Sequence, residues 1–197
     1  MDVYAPLQTL ARAAGAALYP FGFALGGGIA LRAHGLVNRP HADLDFATDD
    51  IGPDELEKVS LVLIDALRAA GATPAEMSHG IARRRYAVEY REFPTFIGLA
   101  VTPQFEAPVL SADWGFVYSE ADAVCHKVHA LHDRAATQDY DDYDRIMRSP
   151  QWNALRIVEE VTERGLPINF GHLRSQLIRG GPRFAEYADA YLTDPAG

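Results

Sequence analysis

The stretch LGGGIALRAHGLVNRPHADLDF, residues 25–46, constrains this chain more than any other. Phe21 to Leu25 reads as a short strand, Gly26–Gly28 as a turn, and Ile29–Ala33 as the start of a short helix that Gly35 ends. Leu44 and Phe46 then alternate with Asp43, Asp45 and Ala47, which is the period of a strand. Residues two apart on a strand share a face, so Asp43 and Asp45 point the same way. Two adjacent carboxylates repel each other and lose hydration if covered. A divalent cation between them removes both costs. Hard oxygen ligands suit Mg²⁺, which carries nucleotide phosphates. A bare Asp-x-Asp also fits an exposed strand with a solvated acidic face. The glycine turn lets backbone N–H groups approach a phosphate, and it equally fits a plain tight turn. It is not a dinucleotide fingerprint, because Leu31 stands where the last glycine belongs, and the lysine of a P-loop is missing.

Taken together, glycine turn, short helix and Asp-x-Asp strand resemble the nucleotidyltransferase superfamily that includes the DNA polymerase beta-like enzymes. The resemblance implies that Gly26, Gly27 and Gly28 hold a triphosphate and that Asp43 and Asp45 hold Mg²⁺. Arg39 matches the arginine that commonly precedes the aspartates. His41 stands where many members carry threonine or serine, as in the antibiotic nucleotidyltransferase branch.

A second constellation lies in EADAVCHKVHALHDRAATQDYDDYDRI, residues 120–146. Val124, Lys127, Leu131 and Arg134 recur at spacings of three and four, so Lys127 interrupts an apolar stripe on one helix. Asp139, Asp142, Tyr143 and Ile146 form a similar stripe on the next. A lysine and two aspartates on buried-leaning faces are costly unless paired or functional. A structural Lys–Asp ion pair joining the two helices satisfies that requirement. The segment also resembles the K-x-x-A-L-x-x-R…R-D-x-x-D pattern of the AbiEii/AbiGii toxin-like nucleotidyltransferases. Lys127, Ala130, Leu131, Arg134, Asp139 and Asp142 match in place, and Gln138 replaces the arginine before the aspartate. The resemblance implies a phosphate contact for Lys127 and a catalytic role for Asp139 or Asp142. It spans roughly residues 20–147, and the last fifty residues match no pattern.

One departure stands out. Many polymerase-like enzymes place a third carboxylate on a later strand. The expected place falls in TFIGLAV, at Leu99 and Ala100, where there is no acid. Glu89 on the preceding strand is the nearest substitute. Three other groups carry blander readings. His126, His129 and His132 drift round a helix and do not converge on one zinc ion. Arg83, Arg84 and Arg85 read as solvated strand residues or as a steering patch for a nucleotide or RNA end. Cys125 reads as packing.

The rest of the chain supplies the frame. Helical spacing runs through residues 6–18 and from Pro53 to Ala70. Arg83–Tyr90 and Thr95–Val101 read as strands, and residues 102–113 as irregular. Ser119 caps a helix reaching about Arg134, with Asp122 in a capping-box-like place. Thr137 starts another, Ser149-Pro150 a third that Gly165 ends, and shorter helices follow at 171–179 and 182–192. The expected fold is therefore α+β: a nucleotidyltransferase core with a small mixed sheet flanked by helices over 1–118, then a helical part over 119–197. The expected reaction is Mg²⁺-dependent transfer of a nucleoside monophosphate from a nucleoside triphosphate to an acceptor hydroxyl. Three versions stay open: a toxin-like enzyme acting on the tRNA 3′ end beside an antitoxin protein, a small-molecule enzyme of the antibiotic type, and a non-catalytic nucleotide- or partner-binding relative. The formal net charge of −9 weighs against broad nucleic-acid affinity and towards the small-molecule version. The single cysteine fits a reducing cytoplasm. No positively charged leader precedes an apolar run, and no run is long enough to cross a membrane.

Overall fold

The computed structural model describes residues 4–40 and 43–191, so His41, Ala42 and Leu192 lie outside the described residues. The chain divides into two compact units, residues 1–33 with 38–119 and residues 34–37 with 120–197.

The first unit is built on a mixed sheet. Its strands are β1 (Ala24–Leu25), β2 (Asp43–Thr48), β3 (Thr73–His79), β4 (Arg83–Tyr90), β5 (Phe93–Val101), β6 (Val109–Ser111) and β7 (Gly115–Val117). They lie in the order β3-β4-β5-β2-β1-β7-β6. β2 pairs parallel with β5 and antiparallel with β1, and β1 pairs parallel with β7. The remaining neighbours are antiparallel.

Three helices accompany the sheet: α1 (Ala5–Leu18), α2 (Gly27–Ala33) and α3 (Leu56–Ala69). Leu7, Leu10, Ala11, Ala14 and Leu18 recur at helical spacing, and that stripe of α1 is wholly buried. A Cβ at Gly15 would lie 3.6 Å from the Phe46 ring, so α1 packs close on β2. Leu56, Val59, Leu63 and Leu67 form the equivalent stripe of α3. The sheet face that meets this core carries Leu44, Phe46, Ile97, Leu99, Tyr86 and Val88, each no more than 2% exposed. Strand alternation therefore turns Asp43, Asp45, Phe96, Gly98 and Arg85 to the other face.

The sequence expectations differ from this in a few places. The strand expected over Phe21–Leu25 is only Ala24–Leu25, because Tyr19–Phe21 forms a 3₁₀ turn. β3 carries no alternating apolar signal, since it is an edge strand exposed over most of its length. β6 lies within the segment read as irregular, and both β6 and β7 are three residues long. The β4–β5 connection is a tight hairpin with Arg91 at φ 51° and Glu92 at φ 63°, a primed turn built without glycine.

The second unit is helical: α4 (Glu120–Asp133), α5 (Thr137–Met147), α6 (Ala154–Glu163), α7 (Phe170–Arg179), α8 (Pro182–Ala188) and a 3₁₀ turn at Asp189–Tyr191. α6 begins later than the Ser149-Pro150 signal implied. Asn153, in an extended conformation, accepts a hydrogen bond from the Arg156 N–H at 2.9 Å and is the true N-cap. Ser149 bonds the Gln151 side chain instead. The core holds Val124, Val128, Leu131, Tyr143, Ile146, Ile157, Leu173 and Leu177. The Tyr143 and Tyr191 hydroxyls meet at 2.6 Å within it, and burial pushes the pKa of both phenols up. Buried carboxylates tie the helices together. Asp122 accepts from Arg164 Nε at 2.9 Å, and Asp144 takes Arg183, the Tyr187 hydroxyl and Arg148.

Candidate active site

Asp43 and Asp45 owe their direction to their neighbours. Leu44 and Phe46 are buried, so the intervening aspartates stand on the opposite face, Asp43 half-buried and Asp45 exposed. The glycine turn lies directly against Asp45. The Gly26 N–H donates to the Asp45 carbonyl at 2.7 Å, which fixes the turn to β2. Gly27 has φ +60°, and a Cβ there would come within 3.2 Å of Asp45 Oδ2. On the other side, Gly98 of β5 is in register with Asp45, and its Cβ would come within 2.7 Å of Asp45 Oδ1. The Asp45 carboxylate thus sits between two residues that have no side chain. Gly26 is itself pressed by the Tyr118 ring, at 3.3 Å from where a Cβ would be. Gly28 follows as the second residue of α2.

Register also answers the question of the third acid. Leu99, in register with Phe46, faces the core, and Gly98 is the β5 residue beside Asp45. Glu89 pairs with Pro94, beyond the Phe96 that pairs with Asp43. It stands two strand spacings from β2, about 10 Å, too far to share an ion with the aspartates. Among the described residues no three His, Cys, Asp or Glu side chains gather into a metal-ligating group. A pair of carboxylates is nonetheless what Mg²⁺ ordinarily takes from a protein when substrate phosphates and water complete its shell. The donor set at Asp43 and Asp45 therefore fits that ion.

The arginine triplet is not uniformly solvated. Arg84 faces the core side and is 6% exposed, with its guanidinium on the Gly80 carbonyl and Glu76 Oε1 at 3.8 Å. Arg85 lies on the aspartate face, and its Nη2 is 2.9 Å from Asp43 Oδ2. Its partner across β5 is Gly98. Sequence reasoning had no means to pair Arg85 with Asp43, 42 residues away. Only the alternation of Arg83 and Arg85 with buried residues hints at its face. Arg39 is half-buried; its Nη1 donates to the Pro40 carbonyl at 3.3 Å, and its own carbonyl accepts from the Tyr4 hydroxyl at 3.1 Å.

In the helical unit Lys127 of α4 meets both aspartates of α5. Its Nζ lies 3.1 Å from Asp139 Oδ1 and 3.0 Å from Asp142 Oδ2, and both carboxylates are fully buried. Asp139 also accepts from Arg134 Nε at 2.8 Å, Arg134 Nη2 at 2.9 Å and the Ala136 N–H at 3.2 Å. Burial would raise its pKa, but the Arg134 hydrogen bonds and the Lys127 charge outweigh it and hold the carboxyl below the usual range. Four donors on one carboxylate with a depressed proton affinity suit an ion-pair anchor, not a proton acceptor. Gln138, where the resembling toxins have arginine, is exposed on the first turn of α5.

The histidines of α4 are spread out. His129 and His132 both approach Asp133, at 3.4 and 2.7 Å. His132 Nε2 accepts from the Asn169 N–H at 3.2 Å, which makes it a link to the start of α7. Cys125 is buried. A cleft of about 550 Å³ opens at the far end of β2, beside Tyr19, Gly22, Asp49, Asp50, Gln104 and Glu106. Its three acids make it hostile to a triphosphate. None of the helices among the described residues is long and apolar enough to cross a membrane.

No protein-family model and no curated protein sequence matches this chain. Solved structures do resemble it. JHP933 from Helicobacter pylori overlays with a TM-score of 0.60 at 16% identity, covering 97% of this chain and 89% of that one. A second H. pylori structure, of a protein provisionally named a nucleotidyltransferase, gives 0.55 at 17% identity, covering 97% and 92%. The nucleotidyltransferase toxin MenT4 from Mycobacterium tuberculosis gives 0.42 at 15% identity, covering 94% and 91%, too loose an overlay to carry an argument. The chain has the nucleotidyltransferase fold, and the likeness runs well past residue 147, where the sequence pattern stops.

Proposed function

We propose that this chain is a nucleotidyltransferase that moves a nucleoside monophosphate from a nucleoside triphosphate to an acceptor hydroxyl. The observation that carries this reading is the Asp45 carboxylate seated against the Gly27 turn, with Asp43 beside it on the same face of β2. Asp43 and Asp45 would hold Mg²⁺, which neutralises charge developing on the leaving pyrophosphate. Gly26, Gly27 and Gly28 offer backbone donors to the phosphates, and Arg39 a guanidinium. The acceptor oxygen bonds to the α-phosphorus, the bond to the bridging oxygen of pyrophosphate breaks, and the hydroxyl proton is lost to water. Lys127 has three donors and spends two on Asp139 and Asp142. A phosphate contact for Lys127 is what the toxin resemblance implies. Asp139 and Asp142 are assigned to fixing that lysine and joining α4 to α5.

The toxin-like segment at Lys127–Asp142 supports RNA, at the tRNA 3′ end, as the acceptor class, with an antitoxin as protein partner. A second reading, transfer to a small molecule, is favoured by the net charge of −9, which opposes a polyanionic acceptor. Incubation with each labelled triphosphate, Mg²⁺ and either total RNA or a panel of hydroxylated small molecules separates the two by which species gains label. Asp45→Asn is expected to abolish the labelling and Mg²⁺-dependent nucleotide binding while leaving the circular dichroism spectrum unchanged. Nucleotide binding by that variant equal to the parent's would refute the site.

A further inference from the structure

The aspartate face of the sheet has no acid from β5 but carries a cation from β4, Arg85. Across three neighbouring strands, Asp45 of β2, Gly98 of β5 and Arg85 of β4 form one register row. The next row is Asp43, Phe96 and Ala87. Arg85 crosses diagonally from its own row to Asp43, with Nη2 at 2.9 Å from Oδ2. Its guanidinium carbon also sits 4.8 Å from the centre of the Phe96 ring. Gly98 leaves open the path between, since the residue under the arginine has no side chain. An arginine–aspartate pair this exposed, at 46% and 40%, contributes little to folding. The two anchors instead hold a positive charge at one oxygen of the carboxylate pair.

From this arrangement we infer that the site holds one divalent ion, not two, and that Arg85 occupies the second cation's place beside Asp43. The inference rests on the metal site proposed above. Two-metal centres place their ions about 3.5–4 Å apart and need bridging carboxylate oxygens for both. Here one Asp43 oxygen is already committed to a guanidinium, and no third carboxylate on β5 supplies another. A second dication would meet the arginine charge with only two aspartates to offset it. Arg85 is then a positioning residue: it fixes the Asp43 carboxylate and leaves the ion to the side facing Asp45 and the glycine turn.

The test is titration with Mn²⁺ alone, with free ion followed by electron paramagnetic resonance. Sites are counted as those lost in Asp45→Asn, which removes binding elsewhere on this acidic chain from the count. The parent is expected to show one such site. Arg85→Met removes the charge and keeps the stem. A unit charge about 6 Å from a dication in near-bulk dielectric opposes binding roughly tenfold, so this variant binds Mn²⁺ about tenfold tighter or gains a second site. Arg85→Lys keeps the charge and stays near the parent. Two sites in the parent, or Arg85→Met indistinguishable from it, overturns the inference while the metal site stands. No difference between parent and Asp45→Asn removes the metal site itself, and the inference with it.

Discussion

Replacing Lys127 with methionine tests whether the buried ions of the helical unit hold it together. The ammonium lies 3.1 Å from Asp139 and 3.0 Å from Asp142, and both acids are fully buried. Removing one partner of a buried pair costs about 3–5 kcal/mol, because the other charge remains buried. Asp139 keeps its two Arg134 bonds and the Ala136 N–H, which limits the loss. That puts the cost in the lower half of the range, about 3–4 kcal/mol, against a whole-domain stability of about 5–15 kcal/mol. Its pH dependence follows from proton counting. In the parent the Asp139 pKa is lowered, so its stabilisation is complete above the ordinary aspartate value of about 3.9 and fades only as pH falls through its own lower value. In the variant Asp139 loses the Lys127 charge that helps hold its pKa down, which favours its protonated form. The folded variant then keeps its proton to higher pH than the folded parent does, and its deficit shrinks on acidification. The assay is urea unfolding read from Trp152 fluorescence in a Trp114→Phe background, since Trp152 lies in the helical unit. The deficit should be larger at pH 7.5 than at pH 5, and adding Asp142→Asn should recover part of it. A deficit under about 1 kcal/mol, or one equal at both pH values, would refute the reasoning.

Two further substitutions probe the backbone. Gly27→Ala forces an L residue to φ +60° and brings its Cβ within 3.2 Å of Asp45 Oδ2. It should cost about 1–2 kcal/mol in urea unfolding and weaken Mn²⁺ binding as Asp45 is displaced; unchanged metal affinity counts against the contact. Ala135→Gly relieves φ 46° at the end of α4, where its N–H bonds the Ala130 carbonyl at 3.3 Å, and should stabilise by about 1 kcal/mol. A loss of stability there means that the turn draws its hold from elsewhere.

What was readable in the sequence was whatever repeats at short range. The stripe Leu7, Leu10, Ala14, Leu18 marks α1, and Leu44 and Phe46 fix the facing of Asp43 and Asp45, because burial acts on each residue's nearest neighbours along the chain. Lys127 announced a buried ion pair for the same reason: it interrupts an otherwise apolar face. The misses share an opposite cause. β3 is solvated over most of its length and has nothing to alternate. The start of α6 turned on which of Ser149 and Asn153 took the extended cap conformation, a choice made by the surrounding packing.

The aspartate face shows where that limit matters for chemistry. TFIGLAV does not reveal which of its residues stands beside Asp45, because register between β2 and β5 is set by long-range pairing. A shift of one residue would bring Leu99 to the aspartates and bury Gly98. With the register fixed, the missing acid becomes a glycine that makes room, and an arginine read as solvent-facing becomes the countercharge of Asp43. The acidic motif alone implies two carboxylates that need cations. Pairing across three strands shows that the chain already provides one of those cations itself.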